Sequence, residues 1–217
     1  MWKQVVGGLG VLVLGLVGLI AAQPAEFEVE RSAKMDAPVE IVFAEVSNFR
    51  AWEVWSPWDK LDPALKRSYS GADSGEGAKY AWEGNDEVGS GRMTIVKATP
   101  NQRIEIKLEF LKPFEATNMT IFGFQSTGAS SNVSWKMTGT NNFLSKAFSL
   151  FVDMEDLVGN DFEKGLSQLK KVSEDKAGAR REEARIAAEA ALKAAAEAAL
   201  QPNPAVGPTA AEAGILK

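Results

Sequence analysis

The feature that most constrains the fold of this chain is a long block, residues 66–138, in which apolar and polar side chains alternate. In the stretch IEIKLEF, for example, Ile104 and Ile106 alternate with Glu105 and Lys107. Such alternation predicts strands with one buried and one solvated face. Because turn-forming residues separate neighbouring strands, we predict an antiparallel meander of six strands at residues 66–70, 78–83, 89–98, 103–110, 117–124 and 131–138.

Three further elements flank the meander. Residues 27–35 alternate in the same way and predict a first strand. A helix is predicted after Asp36, which is placed to cap it, with Pro38 in its first turn and Asn48 capping a second short turn. Residues 154–172 carry their apolar side chains on one broad face and predict a long helix. This helix is the large apolar partner left for the sheet, so the predicted fold class is α+β, a curved antiparallel sheet of about seven strands wrapped around a long C-terminal helix.

The N-terminal residues 5–22 include no polar side chain and are about as many as a helix needs to cross a bilayer. Lys3 precedes them, and three glutamates follow between residues 26 and 30. Under the positive-inside rule, this pattern predicts a single-pass transmembrane anchor at residues 1–22 with a cytoplasmic N-terminus. The rest of the chain, after a linker at residues 23–26, then lies on the exported side, periplasmic or extracellular, of a bacterial envelope. A cleaved signal peptide is the alternative interpretation, and it exports the domain as well.

The composition of the chain changes after residue 173. Residues 174–201 are rich in Ala, Glu, Arg and Lys, a mixture of high helix propensity. Their large apolar residues are too sparse for a coiled-coil seam, so we predict a solvated extension of the terminal helix, either continuous or interrupted at Gly178. The Pro- and Ala-rich residues 202–217 are predicted to be a disordered tail. This tail is the candidate route to a protein partner.

Two residue types are missing from the chain, and their absence limits its chemistry. The 217 residues include neither histidine nor cysteine. Zinc sites built from these residues, thiol nucleophiles and a histidine general base are therefore excluded, and we predict no metal and no cofactor. The net charge of −5 argues against nucleic acid as a partner, since contacts to phosphates need a basic face.

Five segments carry a resemblance to a known family: WSPW followed by DP, GAKYAWEGN followed by GSGRMTI, IEIKLEFLKPF, VSWKMTG and DLVGNDFEKGLSQLK. They resemble the polyketide cyclase/dehydrase-like branch of the SRPBCC superfamily, whose START-like domains have the helix-grip fold. The resemblance covers residues 27–173 in the right order. It implies a hydrophobic cavity between sheet and helix that binds lipids, polyketides or other apolar molecules. Because the fold hosts enzymes, carriers and binding modules alike, the resemblance does not decide the activity.

Three tryptophans, Trp52, Trp55 and Trp58, lie within seven residues and share one side of a predicted helical turn. We expect them to close one end of the core, and the alternative is that they form the mouth of a cavity. Their acidic neighbours argue against insertion into a membrane. The candidate ligand-binding residues on the inner faces of the predicted elements are Trp55, Trp58, Tyr80, Trp82, Phe110, Met119, Trp135, Met137 and Phe162.

We expect a membrane-tethered domain that binds a hydrophobic small molecule or lipid rather than an enzyme. The alternative is a polyketide cyclase or dehydratase in which Tyr80 and Asp161, a carboxylate on the apolar face of the terminal helix, act as acid and base. A structural ion pair with an Arg or Lys is the competing explanation for Asp161. The second alternative is an envelope module for protein–protein interaction.

Overall fold

The structure, a computed structural model, describes residues 14–141, 143–148, 150 and 154–200. The strands within them are β1 (Glu26–Met35), β2 (Lys66–Gly71), β3 (Ala78–Glu83), β4 (Ser90–Thr99), β5 (Arg103–Lys112), β6 (Ala116–Ser126) and β7 (Ser131–Thr140). They form one antiparallel sheet in the order β1-β7-β6-β5-β4-β3-β2. The predicted meander is confirmed, because β2 to β7 pair in sequence order and β1 pairs with β7.

The described residues form four helices, and all but the third lie at places that the sequence predicts. They are α1 (Val39–Ser47), α2 (Trp52–Trp55), α3 (Phe143–Phe148) and α4 (Met154–Leu200), with a 3₁₀ turn at Phe49–Ala51 between α1 and α2. The helix α4 continues through Gly178, so the continuous alternative is the one observed. The chain divides into two compact units, Met1–Ala177 and Gly178–Lys217. In the second unit, residues 179–200 are helical and exposed.

The core of the first unit lies between the inner face of the sheet and the first part of α4. Phe162, Leu166 and Leu169 of this helix are almost fully buried. Phe162 stacks on Trp135 of β7 with ring centroids 4.2 Å apart. Gly165 permits this close approach, because a Cβ atom there would lie 2.6 Å from Cζ3 of Trp135. Each large apolar side chain buried in this row stabilises the fold by about 1.5–3 kcal/mol, which holds the helix on the sheet.

The start of α1 differs from the prediction. Asp36 does not cap this helix: the N-cap position is Pro38, which makes no side-chain cap. Because the helix begins only at Val39, Asp36 lies too early to reach its first free N–H groups. Its carboxylate accepts a hydrogen bond from Ser130 instead. The predicted cap at Asn48 is confirmed, since its side chain accepts from the backbone N–H of Arg50 at 2.9 Å.

The predicted register of β6 is wrong by one residue. Met119 lies on the outer face of the sheet, opposite Lys107 and Thr138 of the neighbouring strands. Both faces of β6 carry apolar residues, so alternation alone could not identify the inner face. Large aromatic rings take the inner face because they bury more apolar surface than Met119 does. The buried residues of the strand are Asn118, Thr120, Phe122 and Phe124.

The N-terminal apolar segment is described only in part. Residues 14–22 are helical, whereas residues 5–13 lie outside the described residues. Among the described residues, the structure has no helix whose length and hydropathy would let it cross a membrane. The predicted tail, residues 202–217, also lies outside the described residues.

Candidate ligand-binding cavity

A cavity of about 440 Å³ lies between the sheet and α4. Its volume falls within the ~300–1,000 Å³ that is usual for small-molecule sites. Its aromatic lining consists of Phe49, Trp52, Trp58, Tyr69, Tyr80, Trp82, Phe110, Trp135 and Phe162. Its aliphatic lining consists of Leu61, Leu65, Val88, Met93, Leu108, Met137, Leu157 and Val158. Its polar lining consists of Ser56, Asp59, Glu87, Thr120 and Asp161.

The three tryptophans near the end of α1 divide between the core and the cavity. Trp55 is fully buried and does not line the cavity, and its Nε1 donates to the carbonyl oxygen of Glu45 at 3.4 Å. Trp52 is also buried, but its ring reaches the cavity wall. Trp58 is half-buried and lines the cavity. The core interpretation therefore holds for Trp55 and the cavity interpretation for Trp58, whereas Trp52 contributes to both.

The structure brings most of the predicted ligand-binding residues together around this cavity. Trp55 and Met119 are the exceptions: Trp55 packs inside the core, and Met119 points outward because of the register of β6. The predicted residues that line the cavity are Trp58, Tyr80, Trp82, Phe110, Trp135, Met137 and Phe162.

Sequence reasoning missed several lining residues, and their signals differ. Met93 and Leu108 already belonged to the inward positions of their strands by alternation. Thr120 falls on the outer face of β6 in the predicted register, and its neighbours in the sequence give no reason to expect a buried hydroxyl. Phe49 and Tyr69 lie in a 3₁₀ turn and an edge strand, where no periodic pattern is long enough to indicate a face.

A row of aromatic rings forms the wall of the cavity along β2, β3 and β5. Tyr69 stacks on Tyr80 at 5.3 Å, and Tyr80 stacks on Trp82 at 5.8 Å. Trp82 in turn contacts Phe110 edge-to-face at 6.0 Å. The first pair lies directly opposite across two antiparallel strands, the position from which side chains interact most strongly.

A hydrogen-bonded pair of charges stands beside this row. Arg67 donates from Nε and Nη2 to the two carboxylate oxygens of Asp59 at 3.0 and 2.7 Å. This hydrogen bond to Asp59 is the main reason why the pKa of Arg67 is raised. Tyr69 donates to Oε1 of Glu53 at 2.6 Å, and burial together with this bond raises the pKa of its hydroxyl.

The two catalytic candidates both line the cavity. Burial, followed by the nearby Asp59 carboxylate, raises the pKa of Tyr80 to about 12. Asp161 accepts hydrogen bonds from Nε1 of Trp58 at 3.2 Å and from Nζ of Lys164 at 3.0 Å. The predicted structural ion pair of Asp161 is therefore present, with Lys164 as its partner.

Residues 26–174 match the model of a protein family described as "Polyketide cyclase / dehydrase and lipid transport". The chain belongs to this family. The match begins at the first residue of β1 and includes all seven strands and the part of α4 that packs on them. It also supports the resemblance to the SRPBCC superfamily. Among curated proteins, none matches the chain.

Solved structures share this family fold at low sequence identity. Protein CV1439 from Chromobacterium violaceum aligns with a TM-score of 0.51 and 14% identity, over 68% of this chain and 96% of its own. The KanY protein in solution aligns with a TM-score of 0.52 and 15% identity, over 70% and 99% of the two chains. An uncharacterized protein from Rhizobium leguminosarum aligns with a TM-score of 0.50 and 15% identity, over 69% and 95%. Likeness at these identities establishes the fold alone.

The description of the polyketide cyclase and lipid transport family covers proteins that transform and proteins that carry a molecule. Both activities require a hydrophobic compound to enter the domain. Membership therefore identifies residues 26–174 as a helix-grip ligand-binding domain. It does not identify the ligand, for which the residues that line the cavity are the evidence.

Proposed function

We propose that this domain binds a hydrophobic small molecule or lipid in the cavity between the sheet and α4. The observation that supports the proposal is a space of about 440 Å³ whose walls are mostly aromatic and aliphatic. Leu61 and Leu157 border this space and are exposed, so the cavity has an opening through which a ligand can enter.

The energetics of packing favour a binding site over a defect in the core. An enclosed void of 440 Å³ would destabilise a protein by about 10 kcal/mol, at the ~24 cal/mol per Å³ measured for cavities left by truncated side chains. This is comparable with the whole stability of a typical domain, about 5–15 kcal/mol. A space of this size persists where solvent or a ligand fills it, and apolar walls favour the ligand.

We further propose that residues 5–22 tether the domain to a membrane and that the domain lies on the exported side. The apolar sequence and the preceding Lys3 support this proposal. Cells expressing the full chain should retain it in the carbonate-washed membrane fraction, and a chain starting at residue 23 should leave that fraction. Recovery of the full chain in the soluble fraction at its full length would contradict the tether.

The cavity is tested by a substitution that fills it, compared with the same substitution on the opposite face of the same strand. Thr120 lines the cavity, whereas Thr117 is exposed on the outer face of β6. Thr120→Leu places a larger side chain in the space that the ligand needs. We expect it to weaken binding of Nile red, a neutral apolar dye, by about tenfold, and Thr117→Leu to leave binding unchanged.

The measurement is a fluorescence titration of the dye, with dodecanol as an unlabelled competitor. Circular dichroism and the urea midpoint establish that both variants remain folded. Equal affinity of the two variants, or failure of dodecanol to compete, would contradict binding in this cavity.

A further inference from the structure

The charged groups that line the cavity all carry the same sign. Asp59, Glu87 and Asp161 line it, and neither Lys nor Arg does so within the part of the chain that the structure describes. The remaining polar groups of the lining side chains are the hydroxyls of Ser56, Thr120 and the tyrosines and the indole N–H groups of the tryptophans. A ligand in this cavity therefore meets carboxylates as its only charged neighbours on the wall.

These carboxylates lie toward the opening, and the deeper wall is uncharged and mainly aromatic. Trp135 and Thr120 are 2% and 3% exposed and belong to the deep wall. Asp161 is 29% exposed, and Leu157, on the preceding turn of α4, is 52% exposed. An amphiphile therefore fits with its apolar part against the deep wall and its polar end beside the carboxylates.

The positive charges near the opening are already engaged. Arg67 makes four hydrogen bonds, to the carboxylate and carbonyl of Asp59 and to the carbonyl of Leu65. Of the five N–H groups of a guanidinium, this leaves one, so Arg67 cannot offer an anion a bidentate contact. Lys164 binds Asp161 from the solvent side, where its side chain is 65% exposed.

The carboxylates, in contrast, retain free capacity as acceptors. Each oxygen of Asp161 accepts one hydrogen bond, from Trp58 or from Lys164, and a carboxylate offers about four acceptor sites. The side chain of Glu87 makes no hydrogen bond or ion pair within the described residues. An anionic head group would face like charges here, which is unfavourable. A protonated amine has donors for these oxygens and can also lie beside the ring of Trp58.

From this arrangement we propose that the cavity takes an amphiphile whose polar end is an amine, and that it discriminates against carboxylate and phosphate heads. The proposal rests on the binding function proposed above and adds the chemical class of the ligand. Asp161 and Glu87 receive the amine, and the aromatic walls receive the apolar body.

The test compares three probes of equal chain length: dodecylamine, dodecanol and dodecanoic acid. Each competes with Nile red for the full-length protein at neutral pH, below the concentration at which the probes form micelles. We expect dodecylamine to bind at least about tenfold more tightly than dodecanoic acid, the effect expected of one charge-assisted hydrogen bond, with dodecanol between them.

Three variants test which carboxylates cause the preference for the amine. Asp161→Asn keeps an acceptor for Trp58 but removes the charge, and it should reduce the preference for the amine over the acid by about tenfold. Glu87→Gln, at an exposed and unbonded side chain, should reduce it without affecting folding. Glu115→Gln removes one negative charge at an exposed site outside the cavity and should leave the preference unchanged.

The outcomes separate this inference from the proposed function. Equal binding of the three probes, or tighter binding of the acid, overturns the inference while binding itself stands. Displacement of the dye by none of the probes overturns both. A preference for the amine that survives both Asp161→Asn and Glu87→Gln overturns the assignment to these carboxylates.

Discussion

The inward-facing side chains at the two ends of β5 lie on the same face of the sheet but have different surroundings. Ile104 and Ile106, near its start, are fully buried in the core. Leu108 and Phe110, near its end, continue the same alternation, yet they are only half-buried and line the cavity. A single strand thus passes from a packed end of the domain to a hollow end without any change in its sequence pattern.

The difference lies in what covers the strand. At the packed end, Ile104 and Ile106 belong to one buried cluster with Val42 and Val46 of α1 and with Trp55. Phe43 of the same helix contacts Phe124 edge-to-face at 5.3 Å. At the hollow end, the aromatic rings of β2, β3 and β5 contact one another along the sheet and border an open space. In β5, alternation therefore identifies the inner face, and the covering element decides whether that face is packed.

The largest expected effect is the contrast between two truncations on β5. Ile106→Ala removes a side chain that is packed on all sides and should lower the free energy of unfolding by about 2–5 kcal/mol. Leu108→Ala removes a side chain that already borders empty space, so fewer contacts are lost and we expect about half that loss or less. Urea denaturation of the ligand-free protein measures both.

The two β5 variants should also differ in how much a bound ligand stabilises them. Saturating dodecanol should stabilise the Ile106→Ala variant as it stabilises the native chain, and should stabilise Leu108→Ala less, since a wall contact is gone. Equal losses of stability in the two ligand-free variants would mean that the hollow end is packed in solution.

A smaller effect is expected where α4 meets the deep wall of the cavity. Gly165→Ala forces a Cβ atom against the ring of Trp135, which Phe162 holds from the other side. Overpacking of this kind lowers stability by about 1–3 kcal/mol. Gly178→Ala is the matched control on the same helix, because no atom lies within 4 Å of its added Cβ. It should not lower the thermal midpoint, and an equal loss in both variants would contradict the close contact.

The smallest effect is spectroscopic and concerns the wall of the cavity. The chain has two tyrosines, so Tyr69→Phe leaves Tyr80 as the only one. Burial raises the pKa of Tyr80 to about 12, from an ordinary value near 10. Between these two values the unfolded chain releases the proton and the folded protein keeps it. The tighter binding of this proton in the folded state contributes to stability. The contribution is complete below pH ~10 and is lost as the pH rises through ~12.

An ultraviolet titration of tyrosinate absorbance checks this value. The folded Tyr69→Phe variant should titrate near pH 12, and the same chain in urea should titrate near its ordinary value. A midpoint near 10 in the folded variant would place the ring of Tyr80 in solvent and would contradict its place in the cavity wall.

Much of the fold could be predicted from the sequence, because most strands have one apolar and one polar face. The strand Ala78–Glu83 has the predicted bounds, and the terminal helix begins at the predicted Met154. The register of β6 could not be predicted, since Met119 and Phe122 lie on opposite faces and both are apolar. The start of α1 was misplaced because Asp36 is a good cap by residue type while the helix begins only at Val39.

The site was less predictable than the fold. Inward-facing aromatic residues such as Tyr80 and Trp135 follow from alternation, but alternation does not indicate which of them border empty space. The contact between Trp58 and Asp161 joins residues far apart in sequence, and only the packing of α4 on the sheet brings them together.

Native mass spectrometry of the full-length protein tests most directly whether the hollow end is a binding site. Protein equilibrated with dodecanol, or separately with dodecylamine, should carry one ligand per chain. The concentration needed to form this adduct should rise about tenfold in Thr120→Leu and stay unchanged in Thr117→Leu. A protein that shows only its own mass with both compounds, or an adduct that persists equally in the two variants, would contradict the account.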